Sequence, residues 1–326
     1  MTQILFVHNE TQSFVHTDLA LLQERWQVQE RYELARRINP LAVFRAVQQS
    51  SLVFCWFASW HSLLPVIFAR LLRKPSVVVV GGYDTANLPE ANYGSQRGGI
   101  RRWLARAVIH NATCLLVNSY SARDEAITNA AADPEKITVM YHGVEPVSMG
   151  NEAREPLVLT VGGVWQENFL RKGLLPFVQA AARLPDIPFV LVGKWMDQSI
   201  DELRAQASSN VQFTGYLSDE EIEAMFMRAA VYVQASLHEG FGLSVAEAMT
   251  AGCIPVVTSV GSLPEVVGET GVYLDSNEPA EIATCVERAL AFNGNSRQQA
   301  RERVVTKFPM EQRRDALHSL IMTLLH

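Results

Sequence analysis

Short runs of consecutive apolar residues recur along the chain and alternate with longer amphipathic stretches. The clearest runs lie at residues 4–8, 51–57 and 76–80. Continuous apolar runs of this length are typical of parallel strands that helices cover on both faces. The stretches 14–25 and 61–72 between them have the length and spacing of helices. The pattern therefore predicts strand–helix alternation from the first residues onward.

The same alternation continues through the rest of the first half. A basic stretch at 99–111 predicts a helix, residues 114–117 a strand, and residues 137–141 a further strand, with a helix after Ser119 between them. The segment 81–99 is rich in Gly, Pro and Asn, and we interpret it as a loop. Loops this long in a compact domain often carry function.

The pattern restarts after a polar segment at 146–156, which we interpret as a linker. A capping-box sequence begins at Ser218 and Gly252 is placed to end a short helix. The alternation in both halves predicts two α/β units with parallel sheets, whose ligands bind beyond the carboxyl ends of the strands and in the cleft between the units. The predicted strands are 157–161, 189–192, 211–213, 231–235 and 254–258, and the predicted helices are 173–184, 218–230, 244–251 and 309–326.

The charge of the chain is unevenly distributed. Its net charge of -6 argues against a dedicated nucleic-acid-binding protein. Residues 1–150 nevertheless carry 14 Lys and Arg against 12 Asp and Glu, whereas residues 151–326 carry 14 against 22. Basic residues of the first half cluster at 70–74 and 97–106. They indicate either solvated helix faces or a surface that meets anionic lipid or an anionic acceptor.

The cysteine pattern and the apolar segments bear on the compartment. The four cysteines are far apart and lie in apolar runs, which favours buried thiols in a reducing compartment. The chain opens directly into a strand-like run, and no apolar stretch reaches the roughly 20 residues of a spanning helix. We expect a cytoplasmic protein, with a peripheral position at the inner membrane face left open by the basic helix. The cysteines are Cys55, Cys114, Cys253 and Cys285.

The segment 236–249 contains the densest concentration of chemically informative residues. It predicts a strand end, a loop with two glycines and a helix start. Backbone N–H groups at such a helix start, near Gly242 and Ser244, form a site suited to a diphosphate. Carboxylates at Glu239 and Glu247 can accept hydrogen bonds from sugar and ribose hydroxyls. The alternative is structural, because Ser244 and Glu247 also match a capping box.

This segment, HEGFGLSVAEAMTAGCIPVVTS, closely resembles the signature of glycosyltransferase family 4, a retaining group with the GT-B fold. Residues 261–265, 271–274, 161–163 and 172–173 resemble the family as well. The resemblance covers residues 137–275 and is looser over 1–136. It implies two Rossmann-like α/β/α domains whose parallel sheets face each other across a cleft.

The resemblance also implies a division of labour between the two domains. Residues 1–146 would form the acceptor domain, residues 147–308 the nucleotide-sugar donor domain, and helix 309–326 would pack back on the first domain. On the donor side, Glu239 would contact the donor sugar near the reacting centre, Lys172 would neutralise the departing diphosphate and Glu247 would bind the ribose. The other implied donor-binding residues are Gly162, Gly163, Tyr216, Leu217, Gly240, Phe241, Gly242, Leu243 and Ser244.

Two departures from the family pattern concern this site. The family usually has Arg at the position of Gly163, and here Arg171 is the candidate for the second positive charge, with a surface arginine as the alternative. The first-strand loop, residues 7–12, contains no glycine. We assign His8 and Asn9 to the acceptor side, for which the resemblance to the family gives the least information.

The strand at 77–80 ends in Gly-Gly-Tyr-Asp, where the family often has a His. We place Tyr83 on the acceptor side and Asp84 among the catalytic candidates, where it would contact a donor hydroxyl or the acceptor. A turn-capping role for Asp84 is equally compatible with the sequence. His16 and His142, like any lone His, are as compatible with structural roles.

These residues together predict a retaining, hexosyltransferase-type enzyme. It would move a sugar from a UDP- or GDP-linked donor to a hydroxyl of a glycan, a lipid-linked acceptor or a small molecule. No Asp-x-Asp pair is present, and we expect no metal and no cofactor. The alternatives are an epimerase or phosphorylase of the same architecture and a non-catalytic GT-B binding module. A nicotinamide dehydrogenase is disfavoured, because no Gly-x-Gly-x-x-Gly follows a strand.

Overall fold

The chain divides into two compact units. The computed structural model describes residues 3–10, 12–33, 38–149 and 154–326. The N-terminal unit contains residues 1–143 and 310–326, and the C-terminal unit contains residues 144–309. The boundaries expected after residues 146 and 308 lie within three residues of these.

The N-terminal unit contains a six-stranded parallel sheet in the order β2-β1-β3-β4-β5-β6. Its strands are β1 Gln3–His8, β2 Gln27–Tyr32, β3 Leu52–Trp56, β4 Ser76–Val80, β5 Cys114–Val117 and β6 Ile137–Val139. Its first helices are α1 Ser13–Gln23, α2 Pro40–Gln49, α3 Trp60–Leu71, α4 Gly99–Asn111 and α5 Tyr120–Ala130.

The C-terminal unit contains a second six-stranded parallel sheet, in the order β12-β11-β10-β7-β8-β9. Its strands are β7 Glu155–Val161, β8 Phe189–Val192, β9 Val211–Gly215, β10 Ala229–Gln234, β11 Ile254–Thr258 and β12 Val272–Leu274. Its helices are α6 Gln166–Arg171, α7 Leu174–Ala180, α8 Ser199–Gln206, α9 Asp219–Arg228, α10 Leu243–Thr250, α11 Leu263–Val267, α12 Pro279–Leu290 and α13 Gly294–Lys307. The last helix, α14 Met310–Leu325, belongs to the N-terminal unit.

Helices cover both faces of the N-terminal sheet. Leu5 and Val7 share an apolar core with α2, α3, α4 and α5, whereas Ile4 and Phe6 share another with α1 and α14. Successive residues of a strand point to opposite faces, so a strand with a core on each side is apolar at every position. This confirms the interpretation of the continuous apolar runs as strands of parallel sheets.

The sequence analysis did not predict several elements that lack a continuous apolar run or a clear helical period. Strand β2 reads Gln-Val-Gln-Glu-Arg-Tyr, since it lies at the edge of its sheet and is only partly buried. Helix α6, with six residues, is too short to show a period. Helices α2, α8, α11, α12 and α13 and strand β12 were also not predicted. The capping box at Ser218 is confirmed, and Gly252 follows α10 in a left-handed conformation.

Two segments predicted to lack regular structure are more ordered than expected. The segment 81–99 contains two 3₁₀ turns, at 89–91 and 95–97. In the segment 146–156 that we interpret as a linker, Val147 donates its N–H to the Thr250 hydroxyl, and Arg154 donates to the carbonyls of Phe226 in α9 and Ala229 in β10. Residues 155 and 156 belong to β7, so the linker ends earlier than expected. Residues 150–153 of that linker lie outside the described residues.

A buried ion pair fixes α14 within the N-terminal unit. The guanidinium of Arg313 donates to both carboxylate oxygens of Asp18 on α1, at 2.7 and 2.8 Å. It also donates to the carbonyls of Met140 and Tyr141, at 3.2 and 2.8 Å. Both charged side chains are at most 1% exposed. Because every charge is paired and hydrogen-bonded, the desolvation cost of burying the pair is offset.

The structure bears on two further expectations, which concern the state of the cysteines and the presence of membrane-spanning helices. All four cysteine thiols are free and buried, as predicted, and burial raises the pKa of Cys55 to about 12. Of the helices in the described ranges, none is both long and apolar enough to cross a membrane.

The Asp18–Arg313 pair yields a stability prediction with a matched control. Asp18→Ala leaves a buried guanidinium without its counter-charge, which we expect to lower the free energy of unfolding by about 3–5 kcal/mol. The control is Glu155→Ala, which breaks an equally bidentate but half-exposed pair with Arg228 and is expected to cost at most about 1 kcal/mol. Urea denaturation followed by circular dichroism measures both. Equal losses in the two variants would contradict this account of α14.

Candidate active site

A row of polar side chains runs along one face of the buried strand β10 and continues beyond its carboxyl end. The hydroxyl of Tyr232 lies 3.1 Å from Oε1 of Gln234 and 2.9 Å from the hydroxyl of Ser244. Gln234 donates from Nε2 to the Ser236 hydroxyl at 2.6 Å and to the Glu239 carboxylate at 3.3 Å. This row therefore leads to Glu239 and holds its carboxylate from one side.

Two cations hold the same carboxylate from another side. Oε2 of Glu239 lies 3.5 Å from Nζ of Lys172 and 4.0 Å from Nη1 of Arg171. The three side chains are between 11% and 15% exposed. Arg171 is further positioned by a hydrogen bond from Nη1 to the His238 carbonyl. Two positive charges beside one negative charge leave a net positive potential in a place with little solvent.

The electrostatic surroundings keep Glu239 ionised. Burial by itself would raise the pKa of Glu239, but the charges of Lys172 and Arg171 outweigh it and hold that pKa below its ordinary value. Burial lowers the pKa of Lys172 from its ordinary value; Arg171 adds to this shift and Glu239 opposes it. The three residues form a preorganised group of charges, an arrangement that is suited to binding an anion.

The start of α10 faces the same region of the unit. Gly242 is the N-cap residue, with a φ of 86°, and no side chain in the described ranges caps this helix start. The Ser244 hydroxyl bonds to Tyr232 and makes no capping bond. The capping box that was the alternative for Ser244 and Glu247 is therefore not formed. The positive end of the helix dipole remains available to an anion.

Glu247 differs from Glu239 in its surroundings. None of the described residues donates a hydrogen bond to the Glu247 carboxylate. Burial, followed by the negative charges of Asp219 and Glu223 on α9, raises the pKa of Glu247 to about 7. A half-buried carboxylate without a donor is suited to accept hydrogen bonds from a ligand.

The loop after β7 explains the departure from the family pattern at Gly163. A Cβ on Gly163 would lie 2.6 Å from the ring of Trp165, so an arginine there would require this ring to shift. The adjacent Gly162 packs against the Lys172 side chain, whose Cδ would lie 3.3 Å from an added Cβ. Arg171 reaches the Glu239 carboxylate instead. The structure thus brings together Lys172 and the cation that the sequence suggested as a substitute.

The turn after β11 fixes the backbone of Glu239. Gly261 has a φ of +55°, and a Cβ there would lie 2.2 Å from the Glu239 carbonyl oxygen. Ser262 donates to that oxygen from its N–H at 3.2 Å and from its hydroxyl at 3.4 Å. The sequence motif pointed to this segment only through resemblance. Its contacts show that it positions the central carboxylate.

Two aromatic residues, Trp195 and Tyr216, lie beyond the carboxyl ends of β8 and β9. Tyr216, which follows β9, is 74% exposed, and Leu217 is partly buried beside it. Trp195 follows β8, and the Arg204 guanidinium lies 4.4 Å from its ring centroid. Trp195 was not among the predicted site residues. The signal that could have indicated it is its place just after a buried strand.

The acceptor-side candidates His8 and Asn9 lie in the N-terminal unit. His8 is 1% exposed, and its ring nitrogens lie 2.7 Å from the Glu10 carbonyl and 2.9 Å from the Glu30 carboxylate. It is therefore held on both sides. Asn9 has a buried Oδ1 with no hydrogen-bond partner in the described part of the chain. Thr11 of the same loop lies outside the described residues.

Asp84 and Tyr83 organise the loop after β4. The Asp84 carboxylate accepts hydrogen bonds from the N–H of Ala58 at 2.9 Å and of Gly82 at 3.0 Å, and burial raises its pKa to about 6. This is the geometry of the turn-capping alternative. The Tyr83 hydroxyl accepts from Arg101 at 2.7 Å.

His142, by contrast, is packed as a structural histidine. Its ring stacks on Trp56 with centroids 6.1 Å apart, and it contacts Phe14. Burial, with a contribution from Arg313, holds its pKa well below the ordinary value. These contacts fit the structural role that the sequence left open for His142.

The predicted site residues thus fall into two groups. Within the C-terminal unit, the carboxyl ends of β7 and β10 bring the two cations, Glu239 and the start of α10 together, because these strands are neighbours. Phe241, buried against Phe308, anchors the loop between them. The other candidates, His8, Asn9, Tyr83 and Asp84, lie in the N-terminal unit.

The Gly261 turn yields a prediction with an internal control. Gly261→Ala places a methyl group against the Glu239 carbonyl in a left-handed conformation, and we expect it to lower the free energy of unfolding by more than about 1 kcal/mol. Gly294→Ala, at the start of α13 where no atom lies within 4 Å of the added group, should instead be neutral or stabilising by up to about 1 kcal/mol. Urea titration distinguishes the two signs. A neutral Gly261→Ala would show that the turn is not pressed against Glu239.

Comparison with known families covers most of the chain. Residues 155–291 match the family model described as glycosyl transferases group 1, and residues 5–143 match the glycosyl transferase 4-like domain. The O-antigen chain mannosyltransferase B of Escherichia coli is 33% identical over 129 residues, which are 37% of this chain and 34% of that protein. The alpha-maltose-1-phosphate synthase of Mycolicibacterium smegmatis is 27% identical over 254 residues, 65% of this chain and 64% of that protein. The chain thus spans less than two thirds of each relative.

Solved structures show the same fold over the full length. HepE of Anabaena, crystallised in complex with UDP and glucose, superposes with a TM-score of 0.79 at 17% identity and covers 99% of this chain and 100% of that one. Sucrose-phosphate synthase from Thermosynechococcus elongatus superposes with a TM-score of 0.76 at 20% identity and covers 99% of both chains. With both halves matched by family models and two six-stranded parallel sheets, the chain belongs to the group 1, family 4-type glycosyltransferases of the GT-B fold.

Proposed function

We propose that the chain transfers a sugar from a nucleoside-diphosphate sugar to an acceptor hydroxyl with retention of the anomeric configuration. The observation that carries this proposal is the Glu239 carboxylate held between Lys172 and Arg171, beside the uncapped start of α10. Membership of the group and the activities of the relatives support the same reaction class.

The cations and the helix start would bind the donor diphosphate. Lys172 and Arg171 supply two positive charges with little solvent around them, and the N–H groups of Leu243 and Ser244 lie in the first turn of α10. Preorganised donors of this kind stabilise charge as it develops, without reorganising during the reaction. Glu239, ionised and fixed, would accept hydrogen bonds from hydroxyls of the donor sugar.

The proposed chemical step needs no side chain of the protein to act as a base. The bond between the anomeric carbon and the diphosphate oxygen breaks, and that oxygen takes the electron pair. The acceptor oxygen bonds to the anomeric carbon from the same face, and its proton passes to the departing diphosphate oxygen. Lys172 and Arg171 would stabilise the negative charge of the leaving group, the role that a metal ion has in other enzymes. We therefore propose that the reaction needs neither metal nor cofactor.

The nucleoside would lie along the outer edge of the same sheet. Glu247 would accept both hydrogen bonds of the ribose diol, and Tyr216, Leu217 and Trp195 would border the base. The HepE structure contains UDP, which makes UDP-sugars the first donors to test and GDP-sugars the second. On the acceptor side we retain His8, Asn9 and Tyr83 as candidates for contact with a glycan, a lipid-linked acceptor or a small molecule.

One set of incubations tests the proposal. Thermal-shift measurements with UDP, GDP and ADP identify the nucleotide, because a ligand that binds only the native state raises the melting temperature of the protein. The matching nucleotide sugars are then incubated with acceptors, with and without a chelator, and the anomeric configuration is determined by NMR. Retention in the presence of chelator is expected. Conversion of the donor into another nucleotide sugar without an acceptor would instead establish an epimerase.

The two cations give a prediction about turnover. Lys172→Ala and Arg171→Ala each remove charge stabilisation from the departing diphosphate, and we expect kcat to fall by about 10²–10³-fold for Lys172 and by less for the more distant Arg171. The control, Arg183→Ala, removes an exposed arginine of the same unit and should leave kcat unchanged. Steady-state kinetics with the identified donor measures all three. Full activity of Lys172→Ala would refute the assignment of this lysine to the leaving group.

Glu247 gives a prediction about pH. With a pKa raised to about 7, its carboxylate is ionised above that pH and protonated below it. Only the ionised form accepts two hydrogen bonds from a ribose diol, so nucleotide affinity should be highest above pH 7 and fall by about tenfold per unit below it. Calorimetric titrations between pH 5.5 and 8.5, a range of about three units around that pKa, measure the profile.

Two variants separate this effect from other titrating groups. Glu247→Gln should bind more weakly and without the inflection near pH 7. Asp219→Asn removes a negative charge that raises the pKa of Glu247, so the inflection should move to lower pH. An unchanged pH profile in Glu247→Gln would rule out this residue as the ribose ligand.

A further inference from the structure

Three neighbouring helices of the N-terminal unit, α2, α3 and α4, carry no acidic side chain. Helices α2, α3 and α4 pack side by side on the same face of the sheet. The sequence contains no Asp or Glu from residue 34 to 83 or from residue 91 to 123. Helix α5 of the same face carries two acidic residues, Asp124 and Glu125. The positive potential is therefore strongest over the first three helices.

Helix α4 exposes large apolar side chains within this positive surface. Ile100 is 68% exposed and Trp103, one helical turn further on, is 59% exposed. Its opposite face, formed by Ala105, Val108 and Ile109, is buried in the core of the unit. The helix is therefore apolar on its inner face and again on its outer face. A tryptophan and an isoleucine that are exposed side by side on the outer face of a helix indicate a surface that binds a partner.

The arginines among these apolar residues differ in their bonding. Arg101 donates to the Tyr83 hydroxyl, and Arg106 donates to Gln96 and to the Asn129 carbonyl. Arg102 lies between Ile100 and Trp103 in sequence, is exposed, and makes no hydrogen bond or ion pair with any described residue. Its charge is thus available to an external anion.

We propose that the first turns of α4, residues 100–103, contact the surface of an anionic lipid bilayer. Arg102 would pair with lipid phosphates, while Trp103 and Ile100 would enter the boundary between headgroups and acyl chains, where tryptophan is enriched. A soluble polyanion would explain the arginines and the absence of acidic residues. It would not explain the exposed apolar pair, because a soluble polyanion, unlike a bilayer, offers no apolar region in which Ile100 and Trp103 could be buried. This proposal does not depend on the proposed sugar transfer.

Vesicle sedimentation with the full chain tests the proposal. Vesicles of phosphatidylcholine alone are compared with vesicles that contain about a third phosphatidylglycerol, at low and at physiological ionic strength. We expect binding to the anionic vesicles, weakened by salt, and little binding to phosphatidylcholine. Binding to dextran sulfate with no binding to anionic vesicles would overturn the proposal in favour of a soluble anion. Equal binding to both kinds of vesicle would also overturn it.

A matched pair of variants locates the contact. Arg102→Gln combined with Trp103→Ser should lower the partition coefficient on anionic vesicles by about tenfold or more, given about fivefold for each arginine and a further loss from the tryptophan. The control, Arg25→Gln combined with Met322→Ser, removes an exposed arginine and an adjacent exposed apolar residue on the opposite face of the same sheet. It should bind as the parent does.

Tryptophan fluorescence gives a readout that does not depend on the strength of binding. Lipids brominated on the acyl chains quench a tryptophan that enters the boundary region. We expect quenching of the parent chain and its loss in Trp103→Phe, under conditions where sedimentation shows both proteins on the vesicles. Unchanged quenching in Trp103→Phe would overturn the assignment to α4.

Discussion

The buried carboxylate of Glu239 constrains the rest of the C-terminal site, because a charge with so little access to water must be paired. Its partners, Lys172 and Arg171, come from the end of α6, which follows β7, whereas Glu239 follows β10. They meet because β7 and β10 are neighbours in a parallel sheet and so end at the same edge. Topology thus brings together charges that are far apart in the chain.

Glycines then allow the surrounding loops to approach closely enough to hold those charges. Gly173, at the end of the loop that carries Lys172, would place a Cβ 2.1 Å from the Ala235 carbonyl, and Gly261 would place one 2.2 Å from the Glu239 carbonyl. Both residues have positive φ angles. Two loops are therefore pressed onto the same stretch of backbone after β10. A site fixed in this way loses little energy to reorganisation when charge develops.

The sequence predicted the central strands and the donor motif for physical reasons that also explain its failures. Strands covered on both faces are apolar throughout, and β1, β3 and β4 were found on that basis. The edge strand β2 lacks this signature. The pairing of Asp18 with Arg313 spans 295 residues, and no local pattern indicates it. For Asp84 the sequence was compatible with two roles, since the same carboxylate that could meet a substrate also caps a turn.

The two carboxylates of the motif illustrate how one unit can give the same side chain different properties. Cations beside Glu239 lower its pKa, whereas burial and the acidic start of α9 raise that of Glu247 to about 7. Titratable groups whose pKa values are pushed apart are suited to different tasks. Glu239 keeps a permanent charge and balances the two cations while the site is empty. Under the proposed function, an arriving diphosphate would compete with Glu239 for Lys172 and Arg171, and ribose hydroxyls would supply the donors that Glu247 lacks. Donor binding would then balance the excess positive charge of the two cations beside Glu239 and supply hydrogen bonds to Glu247.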